Sequence, residues 1–277
     1  MSKIISKSNE KVKYIKSLNE KKFRQRYGTF YIEGIKVVEE ILNSKKAVDI
    51  MFIAYSDELL RSSNGGDRIL QLLQKRWNEF ESINVDKKIF EYVTDTKTPQ
   101  GVLAVLKKNT LKSSEIKVRD LGNIIVLDKI QDLGNLGTII RTADAFNIKD
   151  IVCVEGTADI FSPKVIRSTM GSIVRENIVY CNESEIDEFF KKLKQNNYTI
   201  YSTVLEKSSY IEDVTFNSKS VFIFGNEANG VSKNIKEMSD INIKVDMSSN
   251  TDSLNVSVAA GIVMYKQYID SKETKLN

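Results

Sequence analysis

Three polar stretches hold the residues whose types and spacing could do chemistry: 128–135, 225–230 and 246–254. Each follows a short apolar run, so each reads as a loop beyond the carboxyl end of a strand, where ligands bind in open α/β sheets. Gly225, Gly230, Asn226 and Asn135 in these stretches permit positive φ and close backbone approach. Exposed amides and carbonyls there could read a nucleoside-sized ligand. The same residues also suit plain turns, and Asn135 suits the N-cap of the helix that follows it. The chain has no histidine, which removes Ser-His-Asp and Cys-His catalysis. Proton transfer has to use Asp, Glu, Lys, Tyr, Arg or water.

Other nucleotide-binding signatures are missing. There is no GxxxxGK[ST] and no GxGxxG after a strand, and Gly134-Asn135-Leu136-Gly137 is only a fragment of either. The two cysteines, Cys153 and Cys181, sit in apolar strand-like runs. With no histidine beside them, neither a zinc site nor a disulfide framework is expected.

The elements that must position these loops alternate between strand and helix. Residues 124–127 are continuously apolar, which suits a strand buried on both faces. A helix then runs to about Phe146 with Leu136, Ile139, Ile140 and Ala143 inward. Arg141 lies six residues beyond Asn135, about 240° around that helix at ~100° per residue, so it need not share the buried face. Ser162-Pro163 starts another helix in the favoured cap-then-proline order. Strand and helix signals continue at 151–154, 178–180, 183–195, 199–204, 220–224 and 241–245. The last helix, 255–268, places Val258, Ile262 and Tyr265 at helical spacing. This pattern implies an α/β fold with a parallel sheet and helices on both faces.

Residues 1–106 read as a smaller α/β domain. Ser8 can cap a helix running to about Lys22, and Gly28 stops it. The polar stretch 107–120 reads as a linker, and 121–277 as the larger domain. Hydrophobic residues make up 41% of the 277, enough for packed cores. No apolar run approaches the ~20 residues of a membrane helix, and the basic N-terminus lacks an apolar signal core. A cytoplasmic protein with no membrane partner is expected. Net charge is only +4, yet residues 1–26 carry nine basic residues against two acidic ones, a local excess that favours a polyanion.

Three motifs carry a resemblance. Asn135-Leu136-Gly137-Thr138-Ile139-Ile140-Arg141-Thr142-Ala143, then Phe224-Gly225-Asn226-Glu227 with Gly230, then Ser253-Leu254-Asn255-Val256-Ser257 resemble the three motifs of the SpoU (TrmH) family of RNA ribose methyltransferases, in the family's order. The segment from Ser6 to Gly34 through Thr98-Pro99-Gln100-Gly101 resembles that family's RNA substrate-binding domain. The resemblance implies a SPOUT fold whose C-terminal segment forms a trefoil knot, and a homodimer. It also implies S-adenosylmethionine as donor and methylation of a ribose 2′-hydroxyl in structured RNA, ribosomal RNA more than transfer RNA. The implied cofactor-binding residues are Gly225, Asn226, Gly230, Val245, Met247 and Leu254, and no metal is implied. Two positions depart from the family's usual Ile-Pro-Met-x-Gly: Asp246 replaces the proline and Ser249 the glycine.

On this resemblance the catalytic set is Asn135, Arg141, Glu227, Ser253 and Asn255. Arg141 is the group expected to act at the hydroxyl, either as base or, since arginine stays cationic, as a clamp on phosphate and on developing alkoxide charge. Asn135, Ser253 and Asn255 would orient Arg141 and the ribose, and Glu227 would position Asn135 or Arg141. Two alternatives stay open: a non-catalytic RNA-binding or ribosome-assembly protein on the same fold, and a nucleobase acceptor. Residues around the last helix, Met264 among them, are expected at the dimer interface.

Overall fold

The computed structural model describes residues 3–44, 48–118, 121–248 and 253–276. Two compact units are present. The first comprises the chain up to Asn109 together with Phe161–Val174, and the second comprises Thr110–Ile160 and Arg175–Asn277.

The first unit opens with α1 (Glu10–Ser17). Its cap is Asn9, whose Oδ1 accepts from the amides of Lys11 at 2.9 Å and Val12 at 3.4 Å. Ser8, the expected cap, spends its hydroxyl on Ser6 Oγ at 2.6 Å instead. The single helix expected to reach Lys22 is two helices, because the chain turns at Leu18–Glu20 before α2 (Lys21–Tyr27). Gly28, at φ 62°, ends α2 in the left-handed conformation. There follow β1 (Thr29–Glu33), α3 (Ile35–Asn43), β2 (Ile50–Tyr55), α4 (Asp57–Arg61), α5 (Gly66–Lys75), β3 (Glu81–Asn84), α6 (Lys87–Val93) and β4 (Val102–Lys107). The sheet order is β1-β4-β2-β3. Only the β2–β3 pair is parallel. Val12, Ile15, Leu18, Phe52, Phe90 and Leu103 form its core. β3 and α4 escape sequence reading because ESIN shows no apolar alternation and DELLR is barely one turn.

The second unit holds β5 (Thr110–Lys112), β6 (Ile124–Asp128), α7 (Leu133–Ala145) and β7 (Asp150–Val154). The chain then passes through α8 (Pro163–Thr169), which is grouped with the first unit. It continues with β8 (Asn177–Cys181), α9 (Ile186–Gln195), β9 (Thr199–Thr203), β10 (Ser209–Tyr210), β11 (Ser220–Gly225), α10 (Lys233–Met238), β12 (Ile241–Lys244) and α11 (Val256–Leu276). Every neighbouring pair in the sheet is parallel, in the order β10-β12-β9-β11-β6-β7-β8-β5. The polar stretch 107–120 therefore contributes an edge strand, β5, paired with β8. β6 and β11 are neighbours buried along their whole length, and Gly225 pairs with Asp128 at their shared carboxyl end. The loops after both strands thus leave the sheet at one place, the position where doubly wound sheets hold ligands.

α11 packs along α7 and continues past the expected end to Leu276. Its buried face is Ala260, Val263, Met264, Gln267 and Asp270. Val258 and Tyr265 are 51% and 54% exposed, so the stripe read from spacing faces outward. Met264, expected at an interface, is fully buried within the protomer. Among the described residues no helix is long and apolar enough to cross a membrane.

Candidate active site

Asn135 does not cap α7. Asp132 does, its Oδ1 accepting from the Asn135 amide at 2.8 Å. The helix therefore starts two residues before Asn135, and the Asn135 carboxamide is released for long-range contacts. Its Nδ2 donates to Glu227 Oε1 at 3.1 Å, and its Oδ1 accepts from Asn255 Nδ2 at 2.9 Å. Asn255 is itself held at the start of α11. Its Oδ1 accepts from the Ser257 amide at 2.9 Å, the Ser257 hydroxyl at 2.6 Å and the Val258 amide at 3.3 Å.

Glu227 closes the other end of this chain. Its carboxylate also accepts from the amides of Gln131 and Asp132, each at 3.1 Å. Partial burial pushes its carboxyl upward, but its own backbone amide, the Asn135 carboxamide and the two loop amides outweigh that and hold it below the ordinary glutamate value. The first turn of α7, the loop after β11 and the start of α11 are thus joined through Asn135, Glu227 and Asn255.

The 225–230 loop is built for close approach. A Cβ on Gly225 would lie 2.1 Å from the carbonyl carbon of Gly230. Gly230 sits at φ +65° with nothing within 4 Å of where a side chain would begin. Asn226 staples the turn. Its Nδ2 donates to the Lys129 carbonyl at 2.9 Å, while its Oδ1 accepts from the amides of Ala228 at 3.0 Å and Asn229 at 3.1 Å. Beneath the loop, fully buried Asp128 accepts from Ser232 through its amide at 2.6 Å and its hydroxyl at 3.0 Å.

The loops after β11 and β12, with the start of α11, line an open cavity of about 460 Å³, within the ~300–1,000 Å³ range of small-molecule sites. Gly225, Asn226, Gly230, Val245, Met247 and Leu254 all line it, as do Glu227, Ser253 and Asn255. The remaining wall is Thr203 at the end of β9 with Val204 and Leu205 after it, Ala228 of the loop after β11, Ile243 and Lys244 of β12, and Val256, Ala259 and Val263 of α11. Sequence reasoning missed the β9 end, although its place in a parallel run of strands was the available signal. The cavity fits an adenosyl sulfonium donor: apolar walls from Leu254, Val256 and Val263, loop backbone at the rim, and a side-chain-free surface at Gly230. Asp246 is exposed next to Met247. Ser249 lies outside the described residues.

Arg141 is not brought to this cavity. It is exposed on α7 and makes no hydrogen bond or ion pair among the described residues. Asn135, one turn and more back along the same helix, touches Glu227 and Asn255 from outside the cavity wall.

A model described as the SpoU rRNA methylase family matches residues 122–265, and one described as an MRM3-like substrate-binding domain matches 9–104. The 23S rRNA (guanosine(2553)-2′-O)-methyltransferase RlmP of Bacillus subtilis is 34% identical over 270 residues, covering 96% of this chain and 98% of its own. An AdoMet-bound rRNA methyltransferase from Sinorhizobium meliloti superposes with a TM-score of 0.82 at 26% identity, over 96% of this chain and 97% of that one. The SpoU methyltransferase AviRb from Streptomyces viridochromogenes, at 22% identity and a TM-score of 0.80 over 96% and 100%, shares the fold.

Proposed function

The chain belongs to the SpoU rRNA methylase family, and from that premise we propose that it methylates a ribose 2′-hydroxyl of ribosomal RNA with S-adenosylmethionine as donor. The observation that carries the reading is the Glu227–Asn135–Asn255 chain at the mouth of a donor-sized cavity. The second unit does the chemistry, its C-terminal segment threaded as the family's trefoil knot, and the first unit captures RNA. We infer a cytoplasmic enzyme, since its acceptor is ribosomal RNA.

Gly225, Asn226, Gly230, Val245, Met247 and Leu254 hold the donor, which supplies a methyl group activated on a sulfonium. The protein supplies position, and orientation alone can lower such a barrier by several kcal/mol, about 7–11 at best. Asn135 and Asn255 each have one amide hydrogen not committed to the chain described above. Those hydrogens, with the Ser253 hydroxyl at the cavity wall, orient the ribose oxygen. Glu227 locks Asn135 in the correct sense, since a carboxylate accepts only from the amide nitrogen. Arg141 holds the neighbouring phosphate and stabilises the alkoxide charge that develops as the hydroxyl proton leaves to water.

The enzyme acts as a homodimer. Val258, Ile262, Tyr265 and Ile269 form a continuous stripe on α11 that is exposed or half-exposed, as an unpartnered interface would be. Because Arg141 does not line the cavity of its own chain, pairing along α11 and the adjoining α7 is how it reaches an acceptor. Tyr265→Arg should yield monomers with lowered activity, since an arginine buried in an apolar interface is costly. A fully active monomer of the unmodified chain in light scattering would refute the pairing. Met264→Arg does not serve as this test, because Met264 is core. For the activity itself, calorimetry with S-adenosylmethionine is decisive: saturable binding is expected, and no heat at millimolar ligand would favour a non-catalytic RNA-binding protein.

A further inference from the structure

We propose that the α1–α2 face of the first unit is a binding platform for an unpaired RNA strand, with bases adding to a pre-formed aromatic stack. The proposal rests on the reading of RNA as substrate and goes beyond it in naming the form of RNA and the residues that take it. Three rings form the stack. Phe23 and Tyr27, four residues apart on α2, lie 5.9 Å apart at 18°, and Tyr27 and Tyr14 lie 4.8 Å apart at 28°. Tyr14 is anchored by its hydroxyl to Thr29 Oγ1 at 2.9 Å. The stack runs from the core to the surface: Tyr14 packs against the core beside Phe52, Phe23 is half-buried, and Tyr27 is 38% exposed.

Cations lie over two of these rings and over neighbouring Tyr92. Lys22 lies 4.9 Å from the Phe23 centroid and Arg26 lies 5.7 Å from that of Tyr27. On the adjoining side, Lys7 and Lys16 both lie over Tyr92, at 4.4 and 4.8 Å. Lys22 also pairs with Glu20 at 2.9 Å, an exposed contact that solvent screens. Arg24 is not part of this face, being buried with its guanidinium on the Leu18 carbonyl at 2.6 Å.

The chemistry of this face distinguishes unpaired RNA from duplex. Cations alone would serve any polyanion, including an A-form helix held by its phosphates. Exposed rings add nothing to a duplex, whose bases are already stacked on one another. A splayed strand offers base faces, and aromatic stacks in positively charged grooves take those without needing a particular sequence. Of the nine basic residues in 1–26, Lys7, Lys16, Lys22 and Arg26 lie at these rings and supply the complementary charge.

The test compares an unstructured oligoribonucleotide with a duplex of the same sequence, using the full chain. Tyr27→Leu, which keeps a helix-forming apolar residue at the end of α2, should weaken the unpaired strand about tenfold or more, the scale of one lost base stack. Tyr27→Trp should restore it, and duplex binding should barely change in either. Lys22→Gln with Arg26→Gln should weaken both forms and lower the salt slope by about one to two. A 2-aminopurine base in the unpaired strand should be quenched by the unmodified chain and not by Tyr27→Leu. Equal weakening of duplex and unpaired strand by Tyr27→Leu, or no effect on either, would overturn the proposal. S-adenosylmethionine calorimetry on the same variants separates this from the activity: donor binding that persists while Tyr27→Leu binds RNA normally sinks the platform alone, whereas no donor binding by the unmodified chain sinks the methyltransferase reading alone.

Discussion

Asn255 and Asn135 lie 120 residues apart and share one hydrogen bond, from Asn255 Nδ2 to Asn135 Oδ1 at 2.9 Å. That contact joins the start of α11 to the first turn of α7 and, through Glu227, to the loop after β11. Side chains in one hydrogen-bonded chain behave as a unit. Asn135→Ala and Asn255→Ala should each cut turnover on RNA, and the double variant should lose much less than the product of the two. Multiplicative losses in single-turnover assays would show that the two amides act independently.

Arg141→Ala should leave the fold and the donor site intact. Its side chain is exposed and unpaired among the described residues, so the stability change should stay within ~0.5 kcal/mol. Turnover should nevertheless drop by about a hundredfold or more, the scale of removing one transition-state donor. Unfolding curves, donor calorimetry and methyl transfer on the same preparation check this together. Retained turnover would remove Arg141 from the mechanism.

Gly225→Ala tests the loop. The new methyl would fall 2.1 Å from the Gly230 carbonyl carbon and 2.2 Å from the Val231 amide nitrogen. The Gly230–Val231 backbone has to move, so donor affinity should be lost even where circular dichroism shows a folded chain. Gly230→Ala meets no such clash, though its φ of +65° adds strain of order 1 kcal/mol or more. It should therefore weaken donor binding less. The reverse ranking in calorimetry would contradict this account of the turn.

A pH effect on stability is expected far from the cavity. Glu176, just ahead of β8, is 4% exposed, and its Oε2 has no hydrogen-bond partner among the described residues. Burial pushes its carboxyl up to about 8, with Asp144 adding to the rise and Lys149, at 3.2 Å, opposing it. The folded chain therefore keeps a proton that the unfolded chain releases near 4.5. Stability from this group is full below that value, declines as pH rises through it, and levels off once Glu176 ionises near 8. Urea unfolding of Glu176→Gln from about pH 5 to about pH 9 should lack that decline. Parallel pH profiles for the variant and the unmodified chain would exclude it.

The loops that line the cavity were legible in sequence because glycine and asparagine there are set by backbone geometry. Only glycine fits at Gly225, and the order of strands and helices placed its loop at a carboxyl edge. The partnership of Glu227 with Asn135 was open, since residues 92 apart in sequence meet only through the β6–β11 pairing. Asn135 suits either a cap or a site by type alone; Asp132, three residues earlier, is an equally good cap, and an aspartate that takes the cap leaves the asparagine free. α11 was hardest to orient. It carries apolar residues on nearly every side from Val256 to Tyr265, so spacing could not say that Met264 faces the core and Tyr265 the solvent.

Nucleoside mass spectrometry identifies the atom that accepts the methyl group. Unmodified ribosomal RNA would be incubated with the protein and methyl-labelled S-adenosylmethionine, then digested to nucleosides. Label is expected in a single 2′-O-methylnucleoside, with Asn135→Ala and Arg141→Ala both losing it. Label in a base-methylated nucleoside, or none in RNA despite bound donor, would contradict ribose methylation.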